Sequence, residues 1–335
     1  MLIVRPIKSD DSEAFVDFAA ATGVGHTNLP NHPQRLAQKI SHSELSFAAN
    51  LDQAGEEGYT FVMEDTQTSR LVGTCTVDAA VGLSEPFYSY RVDQVVHVST
   101  DLNINNRIPA LHMGHDYTGA SRLSSFYLEP DYRCNYYDQL LSKSRLLFMA
   151  CFPERFAATT IAEMKGVIDE QGISPFWESV GRHFFSMDFA QADLLTASSN
   201  KRFIANLMPR YPLYVPLLSD TAQAVIGQHH DDVEDIVNIL EHEGLHFEGH
   251  VDIFDAGPIL EVRTRHIRAI RHAEQIKVQA GDPVEQGKRV LVSNNSCHDF
   301  RCIIARKQGP ALILTEAQLE GLQVANGNTV TYCPL

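Results

Sequence analysis

The stretch from Ser121 to Phe152 constrains the fold more than any other part of the chain. SRLSSFYLEP (121–130) reads as a strand that stops at a proline. It passes through DYRCNYYD (131–138) into the helix QLLSKSRLLFMACF (139–152). Three further strand-like runs precede it, at 59–65, 70–81 and 87–99, separated by turn chemistry at 66–69 and 82–86. They read as consecutive antiparallel strands. Upstream, Ser9 or Asp10 can cap a helix whose Ala14, Phe15, Phe18 and Ala19 share a face. A loop with two glycines and two prolines (22–33) leads to a second helix, from Gln34 to about Ala49.

Downstream, IAEMKGVID (161–169) reads as a strand. SPFWESVGRHFF (174–185) reads as a helix capped by Ser174, with Pro175 in its first turn. Residues 189–245 are expected to be mostly helical. The clearest helix is 230–245, with an acidic first turn and Gly244 as terminator. From about 262 onward, short β runs alternate with glycine-bearing turns, which predicts a small β-barrel-like subdomain. The order predicts an α+β fold with a central mixed sheet. The expected division is a body at 1–260 and a β-rich subdomain at 261–335.

Charge narrows the partners. With 42 acidic against 27 basic side chains, the formal net charge is −15. Neutralising nucleic-acid phosphates or an anionic membrane needs clustered Lys and Arg, so neither is an expected partner. No window approaches the ~18 apolar residues of a membrane span. Arg5 comes too early for a signal-peptide apolar stretch, so the expected location is cytoplasmic. The six cysteines form no C-x-x-C and no His/Cys cluster at zinc spacing, which predicts free thiols.

Three segments can support chemistry. The loop Arg133–Asp138 sits at a helix N-terminus, where backbone N–H groups favour phosphate. In 162–189, Glu163, Asp169, Glu170 and Glu178 surround an aromatic-rich helix start. Paired carboxylates of this kind suit a guanidinium, and a solvated acidic turn with Phe176, Trp177, Phe184 and Phe185 in the core is the other reading. His229 and His230 lie beside Asp231 and Asp232, where an imidazole can serve as acid or base. A metal reading of this pair lacks a third ligand at helical spacing.

Read end to end, the chain resembles the arginine N-succinyltransferase family, a branch of the GNAT acyltransferase superfamily. The resemblance rests on GHTNLP (25–30), DYTGAS (116–121), VIDEQGISPFW (167–177), HFFSMDF (183–189), VIGQHH (225–230) and DIFDAGPILE (252–261). It implies a GNAT-like acyl-CoA N-acyltransferase fold and succinyl transfer from succinyl-CoA to the α-amino group of L-arginine. Succinyl-CoA is then a cosubstrate, and no cofactor or metal is implied. The family's proton donor falls on His230. Its succinyl-CoA-binding strand residue falls on Phe126, and Arg133 matches the start of its phosphate loop. Glu163, Asp169 and Glu170 would hold the substrate guanidinium.

One departure stands out. The loop [QR]-x-x-G-x-[GA] of such acyltransferases has Tyr136 and Asp138 at its glycine positions here. That pattern looks like the α-chain type, found where two homologous chains form one enzyme acting on arginine and ornithine. It implies a homologous β chain or further copies as partners. It also leaves a second reading open, in which the chain is a weakly catalytic subunit that shapes the oligomer.

Overall fold

The computed structural model describes all residues except 23–28, 30, 199–206, 210 and 283–285. Most of the GHTNLP motif and part of the expected helical region therefore lie outside the described residues. The chain begins with β1 (Leu2–Pro6), α1 (Ser12–Thr22) and α2 (Pro33–Ala48). Strands β2 (Gly58–Asp65), β3 (Arg70–Asp78), β4 (Ser89–Ser99), β5 (Ile104–Gly114) and β6 (Ser121–Leu128) follow. Then come α3 (Tyr137–Cys151), β7 (Thr159–Glu163), α4 (Pro175–Ser179), α5 (Gly181–Phe185) and α6 (Phe189–Ser198). After β8 (Leu213–Tyr214) lie α7 (Asp220–Val225), α8 (Glu234–His242), β9 (His246–Val251) and β10 (Pro258–Arg263). The C-terminal part holds α9 (Arg268–Arg271), β11 (Glu274–Ala280), β12 (Lys288–Ser293), β13 (Cys302–Lys307), β14 (Leu312–Leu314), α10 (Glu316–Leu322) and β15 (Thr329–Pro334).

These strands form one mixed sheet in the order β14-β11-β15-β12-β13-β1-β2-β3-β6-β7-β10-β9-β4-β5-β8. Among the described pairs, β6–β7 and β11–β14 are parallel and the rest antiparallel. The architecture is α+β. The expectation of three consecutive antiparallel strands fails at its third member. β4 pairs with β5 and β9, and β6 takes the place beside β3. Alternation within a strand says which face is buried, not which strand lies beside it.

Helix α3 covers the centre of the sheet and is buried nearly all round, from Leu140 to Met149. Its Phe148 sits among Phe47, Tyr59, Phe61, Phe152, Phe156 and Phe300, with ring centroids 5.0–5.9 Å away. Phe300 ties the C-terminal part to this core, as do Leu291, Cys302 and Cys333. The boundary expected at 260 falls inside β10, whose pairing with β7 runs through Arg263. The C-terminal strands have a second core of their own around Val278, Leu312 and Val330, and continue the main sheet through the β1–β13 pair.

Two local corrections bear on the site. The strand expected over 161–169 ends at Glu163. Beyond it, Lys165 O accepts from His230 N at 2.9 Å, and Gly166 bridges to His229. The helix expected over 174–185 breaks at Val180, between α4 and α5. Ser174 does cap it, its Oγ accepting from Trp177 N at 3.2 Å. Gly181 lies so close to the Trp177 ring that a Cβ there would fall 2.1 Å from Cε3. All six cysteines are free thiols.

Candidate active site

The site follows from how β6 and β7 part. Their pairing covers only Ser121↔Thr160, Arg122↔Ile161 and Leu123↔Ala162. Past Leu123, β6 stays with β3, whereas Met164 turns to Pro258, donating its N–H to the carbonyl at 3.0 Å. A register shift between Thr74 and Thr76 puts Ser125 and Phe126 opposite a single residue, Cys75. Ser125 takes a φ of 53° there. Such a bulge frees backbone from the ladder and re-aims it. The result is a cleft of about 370 Å³, walled by Ser124–Leu128 on one side and Glu163–Lys165 on the other.

Buried cations brace this wedge. Arg145, 1% exposed, donates from Nη1 to Thr76 O and Ser124 O at 3.1 Å each. It thereby clips β3 to β6 at the bulge. Lys39 Nζ donates to Ser125 Oγ at 2.8 Å. Burial, opposed by Asp78 and reinforced by Arg122, pulls the Lys39 ammonium down to about 8. Arg122 spans Asp78 and Glu163, at 2.9 Å each. Burial alone would raise the Asp78 carboxyl, but Arg122 and then Lys39 more than reverse it, leaving it below the usual range.

Phe126, half-buried, and Arg133, whose Nε donates to Leu128 O at 3.2 Å, both line the cleft. Glu163 lines it too, already held by Arg122. Asp169 and Glu170 do not join them. They sit in an exposed turn, where Asp169 Oδ1 accepts from Gln171 N and Ile173 N at 2.9 Å each. Phe176, Trp177 and Phe185 are core, as the plainer reading expected, whereas Phe184 is exposed.

The loop ahead of α3 replaces glycine at a cost. Asn135 and Tyr136 both adopt left-handed backbone, with φ of 55° and 69°. For non-glycine residues this costs roughly 1–2 kcal/mol each. The Tyr136 ring is held under Arg289, 4.4 Å from the guanidinium carbon to the ring centroid, so β12 supports the loop. Asp138 lines the cleft in the first turn of α3, its Oδ1 accepting from Gln139 N at 2.8 Å.

Matches to known proteins follow this geometry. A family model described as "Arginine N-succinyltransferase beta subunit" matches residues 2–269. The chain is 43% identical to the arginine N-succinyltransferase of Escherichia coli O139:H28, over 98% of this chain and 96% of that one. A Shigella flexneri protein of the same name matches at the same identity and coverage. The solved subunit AI of Pseudomonas aeruginosa arginine/ornithine succinyltransferase is 40% identical, with a TM-score of 0.93, covering 100% of this chain and 98% of that one. The chain belongs to the arginine N-succinyltransferase family.

In this family member, His230 stands at the rim of the cleft. Its backbone N–H is held by Lys165 O, and Lys165, Asp232 and Val233 all line the cavity. The imidazole Nδ1 accepts from Asp232 N at 3.1 Å and lies 3.2 Å from Asp232 Oδ2. Nδ1 is therefore an acceptor in the neutral ring, so the proton sits on Nε2. His229 instead faces Glu234 at 3.3 Å. The expected long helix starts only at Glu234, and Gly244, with a φ of 103°, follows its end.

Sequence reasoning passed over Asp252 and Asp255, which also line the cleft. They stand inside DIFDAGPILE, where the signal was a carboxylate next to a glycine that must approach another backbone. A Cβ on Gly257 would fall 2.1 Å from Met164 O. Lys39, Arg122 and Arg145 were likewise invisible as site residues, because their roles depend on burial.

Proposed function

We propose that this chain transfers the succinyl group of succinyl-CoA to the α-amino group of L-arginine, with ornithine as a second acceptor. The observation that carries the proposal is the parted β6–β7 wedge with its bulge at Ser125–Phe126. A thioester carbonyl laid against that bulge has backbone N–H near Phe126 to stabilise its developing oxyanion. The pantetheine would run along β6, and Arg133 with the N-terminus of α3 would meet the pyrophosphate. The cationic amino acid would enter past Asp232 and Asp235, which also line the cleft. His230, with a proton on Nε2, is the general acid toward the departing thiolate. The amine attacks the thioester directly, so Cys134 has no role as a nucleophile.

The non-glycine loop supports the second reading, a subunit that needs a homologous chain. Calorimetric titration of the isolated chain with succinyl-CoA separates the two. Saturable binding is expected; no binding without a homologous chain would favour the subunit reading. Asp138→Asn removes a negative charge from the phosphate end of the cleft. It is expected to tighten succinyl-CoA about fivefold, more at low salt, in the same titration.

A homologous chain or a second copy is the proposed partner. Val96 and Val98 are exposed on one face of the β4–β5 hairpin, Ile104 on the other and Leu102 at its turn, apolar side chains of the kind that chain association covers. Val98→Glu is expected to lower the assembled mass in sedimentation; an unchanged mass would remove this hairpin from the interface. No helix among the described residues is long and apolar enough to cross a membrane.

A further inference from the structure

We infer that Asp252, backed by Asp255, seats the α-ammonium of the substrate amino acid and takes its proton before attack. This deepens the function proposed above and rests on it. The first ground is charge. Asp252 and Asp255 both line the cleft, and among the described residues neither forms an ion pair with Lys, Arg or His. The neighbouring carboxylate, Glu163, is occupied by Arg122 at 2.9 Å, and Lys165 reaches toward Asp232 at 3.7 Å. Buried carboxylates without a cation are costly, and a cationic substrate supplies the missing charge.

The second ground is the oxygen count. Asp255 Oδ2 accepts from Gly166 N at 2.7 Å, and its Oδ1 from Gly257 N at 2.8 Å. Asp252 Oδ1 accepts from Phe254 N at 2.6 Å and Asp255 N at 3.1 Å. Three of the four oxygens accept from backbone N–H groups, and the two carboxyls also hydrogen-bond to each other; Asp252 Oδ2 is the oxygen with no backbone donor. One oxygen fits a compact ammonium; a guanidinium fork asks for two.

The third ground is the surroundings. Burial, then Asp255, then Glu163 push the Asp252 carboxyl well above the carboxylate range, with the Phe254 and Asp255 N–H groups opposing. Burial raises Asp255 as well. The hydroxyl of Tyr90, 1% exposed, has no hydrogen-bond partner among the described residues. Asp252 is the charge that acts on it. A carboxylate with a raised pKa is matched to accepting a proton from an amine near neutrality.

The two carboxyls share one proton, which leaves to solvent as the ammonium takes its place. The ammonium then gives a proton to Asp252, and the neutral amine attacks the thioester carbon. The C–N bond forms and the C–S bond breaks. As the attacking nitrogen loses its second proton, His230 relays a proton to the departing thiolate, so the ring ends neutral as it began. Asp252 ends protonated, as it began, with one proton released per turnover.

Asp252→Asn and Asp252→Ser both keep an acceptor for the Phe254 and Asp255 N–H groups. Each is expected to lower kcat/KM for arginine about 100-fold at pH 7, with succinyl-CoA affinity unchanged. Their kcat/KM should climb with pH until the substrate amine itself titrates, whereas the unmodified chain reaches a plateau earlier. Independently of turnover, L-arginine binding in the presence of free CoA should release about one proton in the unmodified chain and none in Asp252→Asn. Calorimetry in buffers of different ionisation enthalpy reads this. Wild-type rate and pH profile in both variants, or equal proton release, would overturn the assignment while leaving the succinyl-transfer function standing. An unmodified chain that releases its proton on binding arginine yet transfers no succinyl group would overturn the function and leave the ammonium seat.

Discussion

Asp232 holds its N–H against residue 230, and asparagine there can still accept it, so His230→Asn is expected to remove catalysis without unfolding the chain. The predicted loss in kcat is about 1,000-fold, within the span measured for general acids. Two jobs of His230 are separated by this choice. As the cap of the turn at 231–233, its Nδ1 accepts from Asp232 N at 3.1 Å, a role that asparagine fills well. As an acid, it needs a proton on Nε2, which asparagine cannot supply. The check is a thiol-release assay beside a succinyl-CoA titration: kcat falls while affinity stays within about twofold. Full turnover in His230→Asn would remove the acid role.

Glu243→Gln is expected to cost about 3–5 kcal/mol of stability, because it leaves a buried ammonium facing a neutral amide. Lys143 and Glu243 are 3% and 1% exposed and meet at 2.8 Å. The pair is a junction of distant segments. Glu243 Oε2 accepts from Ala269 N at 2.6 Å, and Lys143 Nζ donates to Pro334 O at 3.3 Å. It thereby joins α3, which follows the loop at 133–136, to the end of α8, to α9 and to the last strand. A fall in Tm of about 6–15 °C is the expected readout by thermal melting. The double variant Lys143→Met, Glu243→Leu should recover most of it, since apolar replacement of a buried pair is tolerated. A single variant melting like the unmodified chain would show the pair to be dispensable.

Local chemistry was the part of this fold that could be read from sequence. Pro130 after a β-rich run, Ser174 before Pro175 and Gly244 after an amphipathic stretch all act within a few residues, and each marks a real boundary. Long-range pairing was not legible. β5 escaped because INNRIPALHMG carries Pro109, polar residues and exposure along its first half, so it lacks a strand's alternation. The break at Val180 comes from a tertiary contact, Gly181 against Trp177, that no local propensity announces.

The site divides along the same line. Phe126, Arg133 and Glu163 reach the cleft, and His230 reaches its rim, because motif and element order carried them there. Asp169 and Glu170 were chosen for charge alone, and charge on a surface turn is solvated. Asp255 is buried and Asp252 half-buried, and neither meets a cation, a property of packing. Lys143 and Arg145 are charged residues of a helix, yet both are buried.

The net charge of −15 gains a location from this. In the proposed function, Asp232, Asp235, Asp252 and Asp255 would face a cationic amino acid, and Asp138 would oppose a polyanionic cosubstrate. The most direct measurement is steady-state thiol release by the purified chain, alone, with succinyl-CoA and L-arginine. The account predicts saturable release that depends on arginine and yields arginine succinylated on its α-amino nitrogen. No release from the chain alone, with activity appearing only when a homologous chain is added, would contradict it.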